Sequence, residues 1–134
     1  MQHYYDFITD DMLVSAIALA GGGGRSTTGS CGAYSGGLMA LSTRFCPGGE
    51  ELTEEELARL DKAKPNFYEF RDWFIKEFSG VNCVQILRKL FGGTFDLNND
   101  KSVAELRKIQ KELGFNCELV TGKVAVKLAE MLGT

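Results

Sequence analysis

Residues 66–83 read NFYEFRDWFIKEFSGVNC. Phe67, Phe70, Phe74 and Phe78 recur at three- and four-residue steps, with Tyr68 and Trp73 alongside, which is the period of one face of an α-helix. Asn66 stands where such a helix opens, and Ser79-Gly80 stands where it closes. Asn82, a preferred N-cap residue, then offers a new start at Cys83. A main core helix that hands over to a second helix through a short turn is the pattern of an all-α fold.

The same signals continue in both directions. Upstream, Thr9 with Asp10 and Asp11 caps a short apolar helix that the glycines 21–24 end, and its composition predicts that it is buried. Ser30 can cap a second helix from Cys31 to about Phe45, which Pro47, Gly48 and Gly49 stop. Thr53 with Glu56 reads as a capping box opening a charged third helix, separate from the one that starts at Asn66. Downstream of Cys83–Phe91, the polar, glycine-led stretch Gly92–Lys101 reads as a loop. Ser102 with Glu105 repeats the capping-box pattern, and after Gly114 and Asn116 a last helix carries Val120, Val124 and Leu128 on one face. The expectation is an all-α, single-domain bundle of six to seven helices spanning residues 1–134, with no strand.

A chain of 134 residues, 44% apolar and 25% charged, buries a core without disulfide staples. Its four cysteines therefore ask for another reason. The net charge of -3 and the absence of a basic face argue against a nucleic-acid partner, since phosphate binding rests on clustered Lys and Arg. The longest apolar run, Met12–Ala20, falls far short of the roughly 20 residues a membrane span needs, so no membrane insertion is expected. The start lacks the basic residues of a secretory signal. A cytoplasmic location follows as the expectation, and there cysteines are more often redox-cycling or metal-bound than permanently bridged.

Their placement is regular. Gly80-Val81-Asn82-Cys83 and Gly114-Phe115-Asn116-Cys117 share one form, and Gly29-Ser30-Cys31 resembles both. Each cysteine follows a preferred N-cap residue, so Cys31, Cys83 and Cys117 are all expected at the first position of a helix. There the unpaired N–H groups and aligned peptide dipoles favour a thiolate, the reactive and metal-ligating form. The bland reading of any one of them is a buried small hydrophobe; the shared geometry of three argues for a common site. In the second helix Gly32, Gly36 and Ala40 form a bare face on which a neighbouring helix or a cofactor could pack, so Gly32 and Gly36 are candidate cofactor-binding positions.

Other patterns carry less. The run GGGGRSTTG, residues 21–29, lacks the Lys-Ser/Thr that completes a phosphate loop, leaving a flexible connection or, at most, an anion resting on amides near Arg25. Asp96, Asn98, Asp100 and Ser102 mimic half a calcium loop, but Lys101 and Arg107 occupy the positions that need glycine and a carboxylate. The aromatic stripe is core rather than a flavin or haem platform, and His3, the one histidine, supports no catalytic arrangement.

At Cys31-Gly32-Ala33-Tyr34-Ser35-Gly36, within GGGGRSTTGSCGAYSGGLMAL, the chain resembles the redox-active family named for a CGAxxG motif among four spaced cysteines. FYEFRDWFIKEFSGVNC ending at Cys83, and Cys117 opening the terminal helix, extend the resemblance over nearly the whole chain. It implies an all-helical redox domain related to the amino-terminal part of split-Soret cytochromes, where an iron–sulfur centre accompanies similar cysteines. The family's first cysteine belongs upstream of the first helix, and none precedes Cys31 here. Either a short upstream segment is missing from this sequence or the position has been lost. Cys46, the unmatched fourth, lies about 22 Å along a regular helix from Cys31 and is a weaker candidate ligand.

The leading reading is a redox protein in which Cys31, with Cys31 central, Cys83 and Cys117 cycle through a disulfide or ligate an iron–sulfur cluster. With three aligned cysteines against the usual four ligands, the site would be metal-free, incomplete or completed from outside. The alternative is a non-redox helical module with zinc on the thiolates or with structural cysteines. The redox partner is left unidentified, whether the protein is an enzyme stays undecided, and nothing opposes a homodimer.

Overall fold

The computed structural model describes residues 5–48 and 52–133; His3 lies outside them. Among the described residues there are six α-helices and no strand: α1 (Asp10–Ala16), α2 (Gly32–Phe45), α3 (Glu54–Phe78), α4 (Cys83–Phe91), α5 (Asp100–Leu113) and α6 (Glu118–Leu132), with a 3-10 turn (Ile17–Leu19) after α1. The all-α bundle expected from the sequence is the fold observed.

The core is built around α2, which packs on α3 and α6. Phe70, Phe74 and Phe78 of α3 meet Leu41 and Ala40 of α2 and Val120, Val124 and Leu128 of α6 in one buried cluster. Gly37 makes this approach feasible, because a Cβ there would stand 2.5 Å from Phe70 Cζ. A second, smaller cluster joins Cys83, Leu87 and Phe91 of α4 to Phe95 and to Leu106 of α5. The start of α4 lies where the two clusters meet.

Four details depart from expectation. First, α1 contributes no buried residue; its Leu13 and Val14 are 45% and 67% exposed, and Ile17 of the 3-10 turn is 72% exposed. Its seven residues pack mainly on the 3-10 turn, too short a stretch to reach the bundle, and Ile8 ahead of it is buried instead. Second, the expected third helix and the aromatic helix are one, α3, running through Pro65. A proline inside a helix removes a hydrogen bond and costs about 3 kcal/mol, which burial of Ala63 before it and Phe70, Phe74 and Phe78 after it offsets. The Thr53–Glu56 capping box at its start is present. Third, α5 begins earlier than the Ser102 signature suggests: Asn99 Oδ1 accepts the Ser102 N–H at 3.0 Å, while Ser102 Oγ accepts the Asp96 N–H at 2.8 Å. The calcium-like run is thus a helix cap. Fourth, Ser30 does not cap α2; that position belongs to Cys31.

Candidate functional site

The glycine run is an ordered structure. Gly21, Gly22, Gly23, Gly24 and Arg25 all have positive φ, 65°, 86°, 79°, 56° and 58°, a left-handed stretch that costs an L-residue roughly 1–2 kcal/mol at each position and glycine almost nothing. Its amides turn inward: Gly23 donates to Leu19 O, Gly24 to Ala18 O, Arg25 to Ala20 O and Thr27 to Gly21 O, at 2.7–3.2 Å. They are therefore spent on the preceding turn and are unavailable to an anion. The loop closes on itself where a side chain at Gly29 would strike the Gly22 carbonyl.

This loop forms a strap over the start of α4. Cys83 N–H donates to Gly29 O at 2.9 Å and Val84 N–H to Thr27 O at 2.9 Å, and a Cβ at Gly22 would stand 3.1 Å from Cys83 Cβ. The other edge of the strap is tied to the segment before α5. Leu97 N–H donates to Thr27 Oγ1, Asn98 Nδ2 donates to Arg25 O, and the Arg25 guanidinium donates to Leu97 O. Thr27, 6% exposed, is the buried polar residue of this junction.

The strap runs directly into the cysteines. Ser30 and Asn82 pair as an isolated antiparallel bridge, flanked by Cys31 N–H to Val81 O at 2.7 Å and Cys83 N–H to Gly29 O. Residues 31 and 83 therefore stand diagonally across this one-rung ladder on the same face, a spacing of about 7–8 Å in a regular sheet. Sequence reasoning missed this bridge, since Ser30 and Asn82 both read as cap residues; a cap residue directly before each cysteine, with a glycine just ahead, was its only trace.

Helix placement is close to expectation. Cys83 is the first residue of α4, whereas Cys31 and Cys117 are the N-caps of α2 and α6. No side chain caps α2, and Asn116 Oδ1 accepts the Glu118 N–H at 2.8 Å at the start of α6. For two of the thiols burial works against the thiolate. Burial pushes Cys83 up to about 11, the charges of Cys31 and Cys117 push the same way, and Arg25 offsets part of the rise. Burial, then Cys31, also raises Cys117. The first two α4 amides, those of Cys83 and Val84, are bonded to Gly29 O and Thr27 O of the strap, and burial disfavours the charged form of the Cys83 thiol. Residue 117 is itself exposed, so its thiol has protein packed on one side and solvent on the other; the exposure governs access to it.

The structure thus brings Cys31, Cys83 and Cys117 within electrostatic reach of one another, and Cys31 acts on both others. All four cysteines are free thiols. Cys46 sits apart at the far end of α2, where its sulfur accepts from Ser42 Oγ at 3.4 Å. Gly32 is filled by its neighbours, with Leu19 O and Ala20 Cα 3.1 Å from a Cβ there, whereas Gly36 faces open space. Among the described residues no group of three or more His, Cys, Asp or Glu side chains is gathered to hold a metal ion. Three sulfurs also fall short of a cluster's usual four. The donor set does not fit an iron–sulfur centre as it stands.

The family model "Putative redox-active protein (C_GCAxxG_C_C)" matches residues 1–131. The chain belongs to this family. The family's name places glycine before the central cysteine, whereas here Cys31 precedes Gly32. No curated protein and no solved structure matches the chain. Among the described residues no helix is long and apolar enough to cross a membrane.

Proposed function

We propose that this member of the C_GCAxxG_C_C family exchanges thiols and disulfides through Cys31 and Cys83, with Cys117 as the third, solvent-facing thiol. The observation that carries the reading is the Ser30–Asn82 bridge, across which Cys31 and Cys83 are diagonal neighbours on one face. Disulfide geometry needs Cα atoms within about 7 Å, so closure asks for a short approach of the two segments.

In the forward direction Cys31, as thiolate, attacks one sulfur of an external disulfide. A mixed disulfide forms on Cys31 and the first external sulfur leaves as a thiolate. Cys83 then gives up its proton to solvent and attacks Cys31 Sγ. The Cys31–Cys83 bond forms, the mixed disulfide breaks, and the second external sulfur departs. Two protein thiols are oxidised, one external disulfide is reduced, and the two protons released by the protein match the two taken up by the external thiolates. The elevated Cys83 thiol makes the second step the slow one at neutral pH, because only the thiolate attacks.

The test is anaerobic equilibration of the reduced protein in glutathione buffers of graded potential, followed by mass-spectrometric mapping of linked peptides and metal analysis of the same sample. A Cys31–Cys83 linkage with a defined midpoint is expected, and Cys31→Ser abolishes it. Absence of any linkage among Cys31, Cys83 and Cys117 across the series, or stoichiometric iron or zinc on these thiols, sinks the proposal.

A further inference from the structure

We propose that the open groove between α3 and α6 seats the same groove of a second copy of this chain, giving a non-covalent two-fold dimer with Val126 on its axis. The groove encloses about 560 Å³ between Trp73 and Glu77 of α3 and the outer stripe of α6. Its uncharged walls are Trp73, Leu119, Gly122 and Val126. Leu119 and Val126 are 39% and 61% exposed, and Gly122 leaves a gap in which a Cβ would meet nothing within 4 Å. Exposed aliphatic side chains beside a tryptophan are the make-up of an interface core.

The occupant follows from the arrangement of charge. Leu119, Gly122, Lys123, Val126 and Glu130 recur at helical spacing and share one stripe of α6. Gly122 stands one turn before Val126, and Glu130 one turn after it. A two-fold axis through Val126 runs the two α6 helices antiparallel and sets each copy's Glu130 against the other's Gly122 and Lys123, every pairing occurring twice. Glu130 is exposed and forms no ion pair among the described residues. Lys123 donates to Glu77 at 3.1 Å, which leaves its ammonium further N–H donors. The charged groups lining the groove are two anions, Glu77 and Glu130, and two cations, Lys123 and Lys127, so two copies meet without net repulsion. The other exposed apolar patch, Leu13, Val14 and Ile17, fails on the same ground. Its helix α1 opens with Asp10 and Asp11 and holds no cation, and a two-fold contact there would bring like charges together.

The dimer asks nothing of the cysteines. Cys117 stands just before the start of α6, about 14 Å along the helix from Val126 at 1.5 Å per residue. Each cysteine site therefore stays within its own chain.

The test is sedimentation equilibrium of the reduced full-length chain over a dilution series, with tryptophan emission read on the same samples; Trp73 is the one tryptophan of the chain. A monomer–dimer equilibrium is expected, with emission moving to the red on dilution in step with the mass. Gly122→Gln should give a monomer whose circular dichroism matches the wild type, because a single copy has room for the side chain and glutamine is the better helix former. Glu130→Lys and Lys123→Glu should each raise the dissociation constant about three- to thirtyfold, two exposed pairs being lost at once, and the double reversal should recover most of it. Val14→Gln should leave association unchanged. A chain still monomeric at about 1 mM leaves the groove to a different partner and overturns the assignment. So does a dimer that persists in Gly122→Gln, is lost in Val14→Gln or leaves tryptophan emission unmoved, and so does a double reversal no tighter than the single changes.

Discussion

Replacing Gly22 by alanine puts the strap and the buried thiol into direct conflict, and Gly23→Ala supplies the matched control. Both glycines have left-handed backbones, φ 86° and 79°, so each alanine bears the same conformational cost of roughly 1–2 kcal/mol, partly offset by the stiffer unfolded chain, about 0.4–1 kcal/mol. They differ in their surroundings. A Cβ on residue 23 meets nothing within 4 Å, whereas a Cβ on residue 22 stands 3.0 Å from the Thr27 carbonyl carbon and 3.1 Å from both Thr27 N and Cys83 Cβ. Two of those atoms are backbone, held by the Thr27 N–H to Gly21 O and Val84 N–H to Thr27 O bonds, so the neighbour cannot simply rotate away. Overpacking of this kind costs about 1–3 kcal/mol. Gly23→Ala should therefore destabilise by about 1 kcal/mol or less and Gly22→Ala by about 2–4 kcal/mol, read from urea midpoints at neutral pH with unchanged slopes. Since the strap has to lift for the alanine to fit, Cys83 in Gly22→Ala should also be alkylated faster than in Gly23→Ala. If the two variants unfold within about 0.5 kcal/mol of each other, or Cys83 reacts equally in both, the strap is not packed on this thiol and the description of the site is wrong.

A second pair lies on α2: Gly37→Ala drives a methyl into the Phe70 ring at 2.5 Å and Val124 at 3.3 Å, a net loss of about 1–2 kcal/mol once the better helix propensity is credited, while Gly36→Ala, facing open space, should gain up to about 1 kcal/mol; thermal melts of the two variants check the sign of each. The Cys83 thiol, moved from an ordinary 9.0 to about 11, makes stability depend on pH in a defined direction. The unfolded chain gives up this proton near pH 9 and the folded chain holds it, so the contribution is complete below about pH 9, declines as pH rises, and is gone above about pH 11. It amounts to no more than about 2 kcal/mol, since the group keeps some contact with solvent; urea titrations at graded pH should show the decline in the wild type and a flatter profile in Cys83→Ala, and parallel profiles would contradict it.

The helices were legible because their signals are local. Phe70, Phe74 and Phe78, and Val120, Val124 and Leu128, declare their faces by spacing alone and are the buried residues observed. Thr9 and Thr53 sit at the helix starts they cap. What the sequence hid depends on residues far apart meeting. Asn66 reads as the start of a new helix, yet tertiary burial on both sides carries α3 through Pro65 without a break. Met12–Ala20 reads as core, yet a seven-residue helix cannot reach the bundle. The regular placement of Cys31, Cys83 and Cys117 after cap residues was readable as a pattern, but its electrostatic consequence was not. The rule of helix ends describes an open amide, and at Cys83 those amides are already bonded to Gly29 and Thr27. The glycine run likewise looked like a flexible link because composition does not reveal that its amides have partners.

The strap also dictates an order of assembly. Its ties join positions 70, 72 and 73 residues apart, Thr27 to Leu97, Arg25 to Leu97 and Arg25 to Asn98, whereas each helix closes through neighbours three or four residues away. Local segments fold at little entropic expense, and contacts that close long loops come later. A ribosome must release residues 97 and 98 before these ties can form, so Cys31 waits for them through much of synthesis and Cys83 emerges before its cover is secured. The burial that quiets Cys83 is thus a property the protein acquires last.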